Sequence, residues 1–196
     1  MHTLSSAHAL ASMCKAVYLR HSKFIYLVGG LFYEANHPKA VEAARSFYIR
    51  NKIAQPDKDG ILEIELSLDG AYSCKGQEST YCISFAMEVW THRCLDHHVS
   101  VKCFLCKNSN LISTNGSCEF GKFHGPTGSM ERENAVILFK RSVEKNKMRY
   151  TKYVADGDCK IYKALNEMRY GPGIKIQKME CANLECVNIP ILDSYK

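Results

Sequence analysis

Arg149-Tyr150-Thr151-Lys152-Tyr153-Val154-Ala155-Asp156-Gly157-Asp158 is the stretch whose reading decides the architecture. Arg149 to Ala155 reads as a strand, and Asp156-Gly157-Asp158 stands at its C-terminal end. Beyond that turn Ile161, Ala164, Leu165 and Met168 recur at i, i+3, i+4 and i+7, the apolar stripe of an amphipathic helix. Gly171-Pro172-Gly173 then reads as a turn, and Ile174 to Met179 alternates as a further strand. A strand that feeds a helix and then another strand is the repeating unit of an α/β sheet.

Working toward the N-terminus, Met130 to Lys147 reads as a helix with Ser129 at its N-cap position. Glu131 and Glu133 fall in its first turn, where the helix dipole favours negative charge. Its inner stripe is Ala135, Leu138, Phe139 and Ser142–Val143. Further back, Ile61 to Leu68 alternates apolar and polar residues, the period of a half-buried strand, and is expected to end at Asp69-Gly70. Strands are also expected over Thr80–Trp90 and His98–Leu105, so the three form an antiparallel meander. Pro56, Asp57 and Gly60 mark a turn, and His37 to Asn51 reads as a helix with Ala40, Val41, Ala44 and Phe47 on one face. The apolar stretch Phe24–Val28 reads as a buried strand. The order of elements fits a mixed α/β sheet. An acid closes two of its strands, Asp69 on one and Asp156 on the other. If those strands are neighbours, the two carboxylates meet at one sheet edge, where α/β sheets commonly carry their chemistry.

The 196 residues suffice for one domain with a core. An apolar share of 46% and a charged share of 23% argue against wholesale disorder. The net charge of +6 suits a nucleic-acid partner without establishing one, and no run of five or more Lys/Arg occurs. The 10 cysteines could form a secreted disulfide framework, but no signal peptide is legible. The apolar run Phe24–Phe32 is too short to span a bilayer, so no membrane association is expected. A reducing, intracellular compartment is the expectation, with thiols free or on metal.

Several of these segments together resemble the Mutator-like transposase domain of animal transposable elements. They are Gly125-Pro126-Thr127-Gly128-Ser129-Met130-Glu131, Phe139-Lys140-Arg141-Ser142-Val143-Glu144, the stretch Arg149–Asp158, Tyr170-Gly171-Pro172, and Lys178-Met179-Glu180-Cys181. Ser67-Leu68-Asp69-Gly70 resembles that family's first acidic motif. The resemblance runs from about residue 61 to 181 and is strongest over 125–181. It implies an RNase H-like fold, incomplete at the C-terminus, and metal-dependent DNA strand cleavage and transfer. By position Asp69 carries over as the first metal-binding acid and Asp156 as the second, with Asp158 as a further acid or the ligand in its place. The implied cofactor is Mg²⁺ or Mn²⁺, the partner DNA and the compartment the nucleus; nothing in the sequence fixes an oligomeric state. The physical demand is for two hard cations roughly 3.5–4 Å apart, held by carboxylate oxygens and clamping the attacking and leaving oxygens. A helix N-cap in a Gly-containing turn is the structural alternative for Asp156 and Asp158.

The chain departs from the family pattern in three places. Ala71-Tyr72 stands where Thr-Trp is usual; Cys181 is followed by Ala182-Asn183-Leu184-Glu185-Cys186 rather than a Gly-His and basic stretch; and none of Glu167, Glu180, Glu185 and Asp193 is assigned as the third acid. The expectation is a partial, inactive transposase domain at 61–181, preceded by a segment, 1–60, with no assigned role and followed by a divergent tail, 182–196. A transposon-derived DNA-binding module without nuclease activity is the alternative.

Cys103-x-x-Cys106 followed by Cys118 and His124, in a loop-like segment at 103–128, is suited to a structural Zn²⁺. Cys94, His97 and His98 are alternative ligands, and reduced, unligated thiols are the competing reading. Lys140, Arg141, Lys145 and Arg149, with Lys147 and Lys152 nearby, are candidate phosphate contacts or an ordinary solvated helix face.

Overall fold

The computed structural model describes residues 15–73, 79–102, 123, 125–155, 159–168, 170–171 and 173–180. The chain divides into two compact units, Met1–Lys39 and Ala40–Lys196. A single helix, α1 (Lys15–Arg50), has residues in both. The apolar stretch Phe24–Val28, expected as a strand, lies inside α1. A short apolar run cannot be told from a helix segment by periodicity alone, and here helix wins. The helix expected at His37–Asn51 is the last part of α1. Pro38 sits within it and lacks the N–H that a helix interior normally supplies. In the first unit Val28, Leu31 and Phe32 are exposed, and Asn36 Nδ2 donates to the Phe32 carbonyl at 2.8 Å.

The second unit holds a five-stranded sheet. Its strands are β1 (Leu62–Tyr72), β2 (Tyr81–Glu88), β3 (Cys94–Val101), β4 (Met148–Ala155) and β5 (Gln177–Glu180). The spatial order is β3-β2-β1-β4-β5. β1 to β3 form the antiparallel meander expected from their spacing. β4 is parallel to β1, and β5 is parallel to β4. That mixed sheet, with α2 (Met130–Asn146) joining β3 to β4 and α3 (Cys159–Met168) joining β4 to β5, has the RNase H-like arrangement.

Of two apolar clusters among the described residues, the smaller holds Cys82, Phe123 and Met130, and the larger fills most of this unit. β1 supplies Leu62, Ile64 and Leu66, β4 supplies Met148, Tyr150 and Tyr153, and α2 supplies Ala135, Leu138 and Phe139. Ile161 and Leu165 of α3 join them, as the helical stripe requires, with Met168 packed alongside. Ala44 and Tyr48 of α1 complete the cluster, so residues ahead of β1 are part of the core. The Phe139 ring meets that of Tyr150 edge-on at 5.2 Å. Arg45 Nη1 and Nη2 donate to the carbonyls of Lys147 and Gly60 at 2.7 and 3.0 Å, tying α1 to the end of α2 and to the turn before β1. Asp57 closes that turn by accepting from the N–H groups of Asp59 and Ile61, both at 2.9 Å.

Local expectations are corrected as well, and the third strand lies at Cys94–Val101 where His98–Leu105 was expected. β1 does not stop at Asp69-Gly70 but runs on to Tyr72, because Asp69 to Tyr72 pair in register with Phe85 to Cys82. Ser129 is not a side-chain N-cap: it ends a 3-10 turn, Thr127–Ser129, and its hydroxyl turns back to donate to the Pro126 carbonyl at 2.8 Å.

Candidate active site

Alternation along β1 sorts its residues onto two faces. Leu62, Ile64, Leu66 and Leu68 join or pack on the core, while Glu63, Glu65, Ser67 and Asp69 point the other way. Asp69 is exposed. Its neighbour Gly70 faces α2, and a Cβ there would lie 2.5 Å from Glu131 Oε1. The contact is with the end of a flexible side chain, which can swing aside, so it marks how closely Glu131 approaches β1. Gly125 is also closely approached, since a Cβ there would lie 2.8 Å from both the Phe123 ring and Ser129 Oγ. Of the two approaches, the one at Gly70 brings the start of α2 against the end of β1. Beside them the Tyr72 hydroxyl is pushed up to about 12 by burial and then by the neighbouring Cys82 thiol and Glu131 carboxylate. Burial also raises the Cys82 thiol, so both groups are neutral near pH 7.

β1 and β4 are adjacent and parallel, the neighbour relation on which a shared edge for the two acids depends. Ser67 pairs with Val154 across them. Asp69 comes two residues after Ser67, and Asp156 two residues after Val154. Asp156 and Asp158 lie outside the described residues, as do Cys103, Cys106, Cys118 and His124. Among the described residues no group of three or more His, Cys, Asp or Glu side chains is arranged to hold a metal. The segment carrying the Cys-x-x-Cys pair is closed at its base: Lys102 bridges to Phe123, whose N–H donates to the Val101 carbonyl at 3.1 Å.

The alternative zinc ligands sit on β3. Cys94 Sγ donates to the Asp96 carbonyl at 3.4 Å, and burial raises its thiol. The His97 ring is tilted against Phe85 at 6.4 Å. His98 titrates below its ordinary range, first because it is half-buried and then because Arg141 is near.

The four candidate phosphate contacts have different settings. Arg141 Nε and Lys145 Nζ each lie 2.7 Å from a carboxylate oxygen of the fully buried Asp96. Arg141 Nη2 also donates to Asp96 Oδ1 at 2.9 Å and to the His97 carbonyl at 2.6 Å. Arg149 Nη1 lies 3.3 Å from Glu63 and 3.7 Å from Asp57. Lys140 is exposed.

Asp96 itself is absent from the expectations drawn from sequence. Burial works against its charge, but hydrogen bonds from Arg141 and Lys145 outweigh burial and hold the carboxyl below its usual range. The only local signal is a charge between Leu95 and His97 in a strand, with Arg141 and Lys145 at i and i+4 some 45 residues on. Two further buried polar centres also went unread. Glu88 accepts from the Tyr48 hydroxyl at 3.0 Å, the Trp90 and Thr91 N–H groups at 2.7 and 2.6 Å, and the Thr91 hydroxyl. Asn134 Nδ2 donates to the Cys82 carbonyl at 3.2 Å and to Ser84 Oγ at 3.0 Å, and its Oδ1 accepts from Ser100 at 2.5 Å.

A family model described as Mutator-like transposase matches residues 34–183, about three quarters of the chain. No curated protein and no solved structure matches the chain. No helix of the described residues is long and apolar enough to cross a membrane.

Proposed function

The chain belongs to the Mutator-like transposase family, and from that premise we propose that it binds DNA through a partial strand-transfer site in which Asp69 and Asp156 hold the divalent cation. The family implies DNA as the partner and a divalent metal as cofactor. The observation that carries the reading is the register of β1 on β4. Ser67 and Val154 face each other on parallel neighbouring strands, and each strand's sequence reaches an Asp two residues later. Carboxylates suit Mg²⁺ or Mn²⁺, which prefer hard oxygen donors and keep several waters. Bound there, the cation would polarise a phosphodiester and neutralise charge developing on its oxygens. Asp69 and Asp156 would orient the phosphate through it, and Asp158 would serve as a further acid. Tyr72 and Cys82 are neutral, so neither competes as an anion at this end of β1.

Strand-transfer carboxylates act as a unit, and loss of one removes most of the rate. No residue downstream of Asp156 is assigned as the third acid, so this chain is expected to bind DNA without cutting it. A structural Zn²⁺ on Cys103, Cys106, Cys118 and His124, in the segment closed by the Lys102–Phe123 bridge, and a nuclear location belong to the same reading.

Mn²⁺ binding followed by electron paramagnetic resonance tests the acids. Bound Mn²⁺ that is lost in both Asp69→Asn and Asp156→Asn is the expected result; binding unchanged in either variant removes that residue from the site. A plasmid-nicking assay in Mg²⁺ and Mn²⁺ tests the rest. Retained binding with no nicks is expected. Nicking that Asp156→Asn abolishes would show a competent nuclease and overturn the inactive, module-like reading.

A further inference from the structure

We propose that the open groove between α2 and α3 is a phosphate-tracking surface for duplex DNA, a site separate from the acids and resting on the reading of this chain as a DNA-binding transposase domain. The groove encloses about 670 Å³, and its charged lining is Arg132, Lys140, Lys160, Lys163 and Glu167. Arg132, Lys140 and Lys163 against one carboxylate leave it basic, while Lys160 already has a partner. Its floor is apolar, from Val136, Ala164 and Met168.

The sequence spacing explains how the charges come together. Arg132, Val136 and Lys140 stand at i, i+4 and i+8, one ridge of α2. Lys160, Lys163, Ala164 and Glu167 follow at i, i+3, i+4 and i+7, the facing ridge of α3. The α2 ridge runs about 12 Å at 1.5 Å per residue, long enough to follow several phosphates. The Arg132, Lys140, Lys160 and Lys163 side chains are all exposed. Among the described residues none of Arg132, Lys140 and Lys163 takes part in an ion pair, whereas Arg141 and Lys145 of the same helix both lie on Asp96.

A second cavity, of about 360 Å³, shares Arg132 and Lys160 with the groove and extends to Gly128, Ser129 and Glu131. Glu131 lies against Gly70, next in the chain to Asp69. The second cavity therefore leads from Arg132 and Lys160, by way of the Glu131 carboxylate, toward the end of β1 that carries Asp69. A backbone lying in the groove would run toward that edge without covering it.

The test is the salt dependence of duplex binding, measured by fluorescence anisotropy with the full chain and a random-sequence duplex oligonucleotide. Each phosphate contact contributes about −0.9 to the slope of log K against log salt. Combined Arg132→Ser, Lys140→Ser and Lys163→Ser substitutions should flatten that slope by about 3 and weaken binding roughly a hundredfold or more near 100 mM salt. The charge-conserving set Arg132→Lys, Lys140→Arg and Lys163→Arg should retain the slope, which a merely structural role for these exposed groups would not predict. An unchanged slope in the serine variant, with tight binding by the wild type, overturns the groove alone and leaves the transposase reading standing. Failure of the wild type to bind duplex DNA at low salt overturns both.

Discussion

The two sides of α2 use the same residue types for opposite purposes. Toward β3, Arg141 and Lys145 converge on Asp96, whose side chain has no exposed surface, while each cation keeps 33% of its own. Toward α3, Arg132 and Lys140 open onto a groove shared with Lys160 and Lys163. Both pairs of α2 cations are separated by whole helical turns, so spacing alone does not tell them apart. The difference lies in what stands opposite. A buried carboxylate turns helix cations into structural groups, and a neighbouring basic helix makes a field that attracts polyanions.

The largest effect should follow from breaking the buried side. Asp96→Ala leaves two cations and the surrounding donors without their acceptor, and should cost about 3 kcal/mol, the lower end for one partner of a buried pair because the cations stay partly in water. Urea unfolding reads it as a lowered midpoint; a loss indistinguishable from that of a surface substitution would erase the contrast. Asn134→Ala removes three buried hydrogen bonds linking α2 to β2 and β3, and should cost about 2 kcal/mol by the same measurement.

The buried side should also show in the acid limb. Asp96 is held below its ordinary range, so its contribution is full above the unfolded-state value of about 4 and is lost as pH falls through the folded-state value. The stability gap between the wild type and Asp96→Asn should therefore be widest near neutrality and close below about pH 4. A gap independent of pH would mean that the carboxylate's charge is not what stabilises β3 against α2. Smaller still, Arg141→Ala should cost about 1.5 kcal/mol, as for a hydrogen bond to a charged group, with little change in the salt slope of DNA binding. Lys140→Ala should do the reverse: stability within about 0.5 kcal/mol of the wild type, and a slope flatter by about 1. Equal behaviour of the two variants in both assays would dissolve the distinction between the sides.

Much of the fold was legible because its signals are local. Alternation marked β1, the apolar helical stripe marked α3, and the close succession of strands marked the meander. The last part of α1 was read as helix, but its earlier part was misread because Phe24–Val28 is too short for periodicity to discriminate helix from strand. Ser129 was misread because it lies inside a helical turn rather than before one, leaving its hydroxyl nearer Pro126 than any free N–H of α2. At the candidate site, the place of Asp69 near the end of an alternating run was legible. Its relation to the second acid depended on whether β1 and β4 are neighbours, which no run of residues along the chain specifies.

Residue order by itself determined which segments become strands and helices in the sheet unit, which acids follow them, and which cations share a helical ridge, because backbone periodicity maps neighbours in sequence onto faces. Tertiary structure alone decided that β4 lies parallel against β1, that Asp96 captures Arg141 and Lys145 from α2, and that α3 completes a basic groove with the opposite ridge. Each of those outcomes joins groups tens of residues apart, and burial of the shared apolar cluster, rather than any local preference, brings them together.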